Sequence, residues 1–181
     1  MADDKASAAP LHPWQQASTL DDMFLYHLAR LMGSAGSMVV RLCEGGFGIT
    51  RREWRMVGLL ADIGPMRPSE LAEQAQLDRT RTSRAISALV AKGLVSKHGL
   101  AGDARQALLQ LTPSGRALHA ELFPQVQAIN RELLRDVPQQ ELEAVSRAFA
   151  RIRERAAAMQ QQGSIPKAPR NRSQQRPAGK P

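Results

Sequence analysis

One stretch, from Pro68 to Thr112, constrains this fold more than any other part of the chain. It opens as Pro-Ser-Glu-Leu-Ala-Glu-Gln-Ala-Gln-Leu and continues as Asp-Arg-Thr-Arg-Thr-Ser-Arg-Ala-Ile-Ser-Ala-Leu-Val-Ala-Lys-Gly, before two short apolar-alternating runs. Short helix, tight turn, second helix and hairpin is the order of a winged helix-turn-helix. Asp78 is placed to cap the second helix, because its carboxylate can accept from the unpaired amides of the first turn. Gly93 sits just past the end, where a left-handed residue closes the last turn.

At about 100° per residue, Ser83, Ile86, Leu89 and Val90 fall on one side of that helix with Thr82 at its edge, which predicts a core-facing stripe. Thr80, Arg81, Arg84, Ser87, Ala88 and Ala91 fall on the other. This outer face is cationic at its N-terminal end, bears small hydroxyls and has no acidic residue. A solvated face usually mixes both signs, and carboxylates would repel phosphate. Small side chains let a helix axis approach a groove, while arginine can fork onto the O6 and N7 of guanine. Either the face is ordinary solvated surface or it meets a nucleic acid, and the neighbouring helix and hairpin favour the second. The candidate contacts on this helix are Arg79, Thr80, Arg81, Thr82, Arg84 and Ser87.

Charge agrees with a polyanionic partner. Lys and Arg number 25 against 17 Asp and Glu among 181 residues, a net +8. Charge alone does not separate nucleic acid from a membrane surface. Aromatics are only 4%, which leaves few platforms for stacking single-stranded bases. No apolar run approaches the roughly 18 residues of a membrane span, and no secretory leader is expected at the N-terminus. The single cysteine, Cys43, excludes an internal disulfide and any cysteine-based zinc cluster. A cytoplasmic protein without membrane, metal or cofactor is expected.

Residues 1–17 show no sustained period and predict a flexible arm. From Ser18 the pattern becomes helical, with Leu20, Phe24, Leu28, Leu31, Met38 and Leu42 recurring until Gly45-Gly46. Gly33-Ser-Ala-Gly36 is a poor helix former, explained by close packing of another backbone or by room left for a ligand. Thr50-Arg-Arg-Glu53 is a capping box opening a helix with Trp54, Val57, Leu60 and Ala61 inward and Gly64-Pro65 at its end. The hairpin strands are expected at 94–98 and 107–111. Thr112-Pro113 then starts a helix carrying Leu118, Leu122, Val126, Ile129 and Leu133, kinked at Pro124.

A last helix begins near Pro138 and spaces Leu142, Val145, Phe149, Ile152, Ala156 and Met159 by threes and fours. That seam packs either on the protein's own core or on a partner helix. Its length, beyond a complete winged domain, favours a partner, with Leu142, Val145, Phe149 and Ile152 as the homodimer contacts. From Gly163 the chain holds five cations and no acid, a basic tail too polar to fold.

Taken together, these residues resemble the MarR family of transcriptional regulators over about residues 20 to 160. The likeness is densest in Ser-Glu-Leu-Ala-Glu (69–73), in Thr82 through Leu89 to Lys92-Gly-Leu-Val95, in Asp103-Ala-Arg105 and in Leu111-Thr-Pro-Ser-Gly115. It implies a mainly α fold with a small β-wing, a winged helix-turn-helix joined to a helical dimerisation domain. Residues 49–112 would form the DNA-binding part, 18–48 and 113–162 the dimerisation region, and 163–181 a disordered tail. The resemblance also implies recognition helices in the major groove and wing tips in the flanking minor groove of double-stranded DNA. Arg105 would then be the minor-groove arginine, and Asp103 would hold the wing through a nearby arginine. Lys97 departs from the arginine found in many members, and should keep a phosphate contact without bidentate geometry.

Tyr-His-Leu-Ala-Arg-Leu (26–31) and Gly-Ile-Thr-Arg-Arg-Glu-Trp-Arg (48–55) look like members that govern breakdown of plant-derived aromatic acids. Family effectors, often aromatic carboxylates or their coenzyme A thioesters, bind between the helical and winged parts. His27, Arg30, Arg41, Trp54 and Arg55 are the candidate lining residues, each with a plain alternative as packing or surface. A repressor role is implied by the same resemblance. Enzymatic function is not expected, since the four histidines are scattered and no phosphate loop or carboxylate pair appears. The alternative is a non-specific architectural DNA-binding protein.

Overall fold

The structure, a computed structural model, describes residues 11–100 and 103–163, with residue 100 and residues 103–106 described by backbone alone. The order is α1 (Phe24–Arg41), α2 (Arg51–Asp62), α3 (Pro68–Ala75), α4 (Arg79–Ala91), β1 (Val95–Leu100), β2 (Asp103–Leu111), α5 (Pro113–Leu133) and α6 (Gln139–Gln162). This is the expected mainly helical fold with a two-stranded antiparallel wing. The chain divides into two compact units between Leu134 and Arg135. No helix among the described residues is long and apolar enough to cross a membrane.

In the first unit α2 is the centre, packing against α3, α4, α5 and β2. Its Met56, Val57 and Leu60 meet Leu71 of α3, Ile86 and Leu89 of α4, Leu109 and Leu111 of β2, and Leu122 of α5 in one buried cluster. The Thr50 box forms as its residues dictate: the Thr50 hydroxyl accepts from the Glu53 amide at 3.2 Å, and Glu53 Oε2 accepts from the Thr50 amide at 2.6 Å. Ala61, expected inward, is exposed, and Met56 takes the core position.

The wing is longer than the expected strands. Val95 pairs with Leu111 and His98 with Leu108, and the register shifts before Leu100 pairs with Asp103. A feature not foreseen is Met66, which exchanges two backbone hydrogen bonds with Leu109, at 2.9 and 3.2 Å, and ties the α2–α3 connection to the sheet. Thr112 caps α5 by accepting from the Gly115 amide, and its hydroxyl donates to the Gly93 carbonyl at 2.6 Å. The end of α4 and the start of α5 are thereby joined. Gly115 is buried because its α-carbon lies against Leu94; a Cβ there would fall onto the Leu94 carbonyl oxygen.

At the N-terminal end the structure departs from the expectation twice. Residues 13–15, expected in the flexible arm, form a 3₁₀ turn whose Trp14 ring packs 5.2 Å from Phe24 and 5.6 Å from His27. The helix expected from Ser18 starts only at Phe24. The Asp22 carboxylate accepts from the amides and hydroxyls of both Ser18 and Thr19, which closes a separate 3₁₀ turn, Leu20–Asp22, and leaves Met23 extended. Those four bonds, led by the Thr19 hydroxyl, hold the Asp22 pKa down at about 2. Gly33 to Gly36 stay helical. Gly36 is buried with the Arg51 guanidinium where a Cβ would stand, so what packs closely there is a side chain and not the other backbone expected; Gly33 faces open space.

α1 ends in a π turn, Leu42–Gly46, that buries Cys43. Burial, and after it the Glu44 charge, pushes the thiol pKa up. α5 runs continuously through Pro124. In the second unit, α6 has no buried residue, and Val145 and Ile152 of its seam are 48% and 41% exposed.

Candidate nucleic-acid interface

α4 is fixed at its start by Asp78. One carboxylate oxygen accepts from the Arg81 amide at 2.8 Å, and the other pairs with Arg81 Nε at 3.1 Å. Gly93, at φ +68, ends the helix, and the Leu94 amide returns to the Leu89 carbonyl at 3.0 Å. Between these caps the buried residues are Thr82, Ala85, Ile86 and Leu89. The stripe is therefore rotated by roughly 60° from the one expected, at about 100° per residue. Ser83 and Val90, expected in the core, are exposed, and Ala85 replaces them. Apolar character at Val90 misled the projection, whereas the small Ala85 fits where α4 packs closely.

Two consequences follow for the predicted contacts. Thr82 is only 3% exposed and its hydroxyl donates to the Asp78 carbonyl at 2.9 Å, so it braces the first turn instead of reaching outward. Thr80, Arg84, Ser87 and Ala91 form the centre of the exposed face, directly opposite the buried stripe. Arg79, Thr80, Arg84 and Ser87 line one open groove of about 890 Å³ together with Pro68 and Ser69 of α3 and Lys97 of β1. Its lining has three cations and no acid. Arg81 stands beside this set with its charge partly met by Asp78. The wing positions Asp103 and Arg105 belong to β2 by backbone, and their side chains lie outside the described ones.

An exposed convex helix flanked by basic side chains, with a second helix start beside it, is suited to a groove edge and its phosphates. The side-chain donors are hydroxyls or cations and the centre is small, which permits close approach. The groove is lined by no His, Cys, Asp or Glu, and no group of three or more of these among the described residues could hold a metal ion.

The predicted effector residues fall into two groups. His27 packs on Trp14, and Arg30 pairs with Asp21 at 3.3 Å and lies 5.9 Å from the Tyr26 ring centre. Arg41 is exposed near the end of α1. Trp54 lies elsewhere, stacked on His119 of α5 at 5.4 Å, with Phe123 5.2 Å beyond His119. Arg55 turns to the other side of α2 and donates to the Ala75 carbonyl at 2.9 Å, closing the end of α3. His119 and Phe123 were missed; each lies one residue past an apolar stripe position, Leu118 or Leu122, and only the Trp54 stack reveals them. His119 Nε2 is buried with no hydrogen-bond partner. A concavity of about 430 Å³ adjoins it, lined by Leu60, Pro65, Gln110 and Arg116 among others.

Residues 47–106 match the model of the MarR family. The HTH-type transcriptional regulator FarR of Neisseria gonorrhoeae is 33% identical over 78 residues, which are 43% of this chain and 53% of that protein. The match thus spans about half the length of that relative. A MarR-family transcriptional regulator from Silicibacter pomeroyi shares the fold with a TM-score of 0.63 at 25% identity, over 74% of this chain and 90% of the other. The PcaV transcriptional regulator from Streptomyces coelicolor, solved in complex with its natural ligand, gives a TM-score of 0.64 over 77% of this chain and 98% of its own, at 22% identity. These similar proteins are transcriptional regulators and not enzymes. The chain has the fold of MarR-type transcriptional regulators, and over residues 47–106 it matches the sequence pattern of their family.

Proposed function

We propose that this chain is a ligand-responsive transcriptional regulator that binds a pseudo-palindromic operator as a homodimer, in the cytoplasm, and represses from it. The observation that carries the reading is the groove that unites Arg79, Thr80, Arg84, Ser87 and Lys97 without an acid. Arg84 reads a guanine edge; Lys97 and Arg79 hold phosphates; Arg81 divides its charge between Asp78 and the backbone. Arg105 extends the contact from the wing into the minor groove. The seam of α6, with Val145 and Ile152 exposed and Leu142 and Phe149 half-buried, supports pairing with a second copy. Two-fold pairing then sets half-sites about one helical turn apart.

The effector is a small aromatic carboxylate or its coenzyme A thioester, the class implied by the family resemblance of residues 26–31 and 48–55. Its site is at Trp54, His119 and Phe123, where an aromatic ring can stack and the buried His119 Nε2 supplies a polar contact. To change operator occupancy tenfold, it must prefer one conformation by about 1.4 kcal/mol.

The test is selection of bound duplexes from a random pool, repeated with a panel of aromatic acids and thioesters. A two-fold symmetric footprint released by one of these compounds is expected. Equal affinity for selected and scrambled duplexes would leave a non-specific architectural binder instead. A panel without effect on melting temperature or operator affinity would remove the effector.

A further inference from the structure

Only two polar residues among the described ones are buried, Glu53 and Thr82, and both serve α4. Thr82 braces its first turn. Glu53 reaches its other end. Lys92 follows the last turn of α4, where a cation is favoured by the exposed carbonyls. Its ammonium donates to Glu53 Oε2 at 2.8 Å and to the Gly48 carbonyl at 2.9 Å. The same Glu53 oxygen accepts from the Thr50 amide. Gly48, at φ +63, lies between the π turn that ends α1 and the cap that starts α2. One ammonium therefore fastens the end of α4 to the junction of α1 and α2, across 39 and 44 residues of sequence.

Lysine beside a DNA-facing helix would ordinarily be read as one more phosphate contact. The geometry argues otherwise: this ammonium is directed into the protein, onto a carboxylate that is itself almost fully buried. An apolar pair would pack such a place at less cost in desolvation, and what an ion pair adds is a fixed direction and a fixed partner. We infer that Lys92 and Glu53 form the joint that sets the angle of α4 against the rest of the first unit, and that Lys92 is a positioning residue for sequence discrimination, not a contact to the DNA backbone. The inference rests on α4 being the reader. Sequence discrimination needs side chains aligned with base edges, whereas attraction to phosphate tolerates a tilted helix. Loosening the joint therefore lowers discrimination and leaves general affinity in place.

The test uses the full chain, with a duplex that it selects from a random pool and a scrambled duplex of the same length. Glu53→Gln keeps the ammonium and removes its charged partner; Lys92→Met does the reverse. Combining Lys92→Met with Glu53→Leu leaves no orphaned charge in the core, so that variant folds without the joint. In all three, preference for the selected duplex falls at least about tenfold while scrambled-duplex affinity and its salt dependence stay near those of the parent. Lys92→Arg, which can bridge the same two oxygens, recovers most of the preference. Amide hydrogen exchange over residues 88–94 speeds up in the three variants and not in Lys92→Arg.

The opposite pattern overturns the inference. Were Lys92 a phosphate contact, Glu53→Gln would tighten both duplexes, and Lys92→Met would reduce the slope of log affinity against log salt by about 0.9. Parental discrimination by the combined variant would overturn it equally. Should the parent discriminate between no duplexes at all, the role of α4 as reader fails, and unchanged exchange over 88–94 would then refute the joint separately.

Discussion

At Arg84 the roles of geometry and charge separate cleanly. Its side chain lies at the centre of the exposed α4 face, where a bidentate contact to guanine discriminates by roughly 1–3 kcal/mol. Arg84→Ala should therefore weaken the selected operator by that amount and scrambled DNA far less, as titration of both duplexes will show. Glu53 carries a second expectation. Burial alone would push its carboxyl up, but the Lys92 hydrogen bond, the Thr50 amide and the Lys92 charge outweigh it and hold its pKa below the ordinary 4.5. A carboxyl lowered on folding stabilises the folded state above its unfolded pKa and loses that contribution as pH falls through the folded value. Unfolding free energy, measured by denaturant titration, should thus fall more steeply below about pH 4.5 in the parent than in Glu53→Gln. Gly115→Ala places a methyl group on the Leu94 carbonyl and should cost on the order of 1–3 kcal/mol by the same measurement.

Among the elements, those announced by local chemistry were legible and those fixed by distant packing were not. The boxes and caps at Thr50, Asp78 and Thr112 all form at the residues that announce them. Replacing Asp78 by Ala removes both the cap and the Arg81 partner, and should cost about 1 kcal/mol of stability in thermal or chemical unfolding. By contrast, nothing local distinguishes Ser83 from Thr82 as a buried residue, or Val90 from Ala85. Which of them faces inward depends on how closely α4 lies against α2 and α3, and an error of roughly 60° survives any count of apolar positions. The delayed start of α1 has a similar cause. Ser18 and Thr19 resemble a helix cap, but Asp22 is near enough to claim all four of their donors first. The candidate interface was readable because charge and small size need no partner to be seen; the Trp54–His119–Phe123 stack was not, because its members come from helices 65 residues apart in sequence.

For the whole molecule, two sources of positive charge should behave differently. Residues from Gly163 on contribute five cations without an acid, and those after Gly163 lie outside the described residues. Deleting 163–181 should weaken operator and scrambled DNA almost equally, with the specificity ratio retained. The salt slope should drop by about 0.9 for each phosphate that the tail neutralises. The remaining consequence concerns Cys43. The chain has a single thiol, and it is fully buried with its pKa raised, so a maleimide or disulfide reagent at neutral pH meets almost no reactive sulfur in the folded state. Labelling must wait for an opening of the α1–α2 junction. The protein thus carries its own clock: the alkylation rate of one native side chain records how often that junction opens, and any operator or small molecule that holds it shut will slow the clock by the factor it contributes to the closed state.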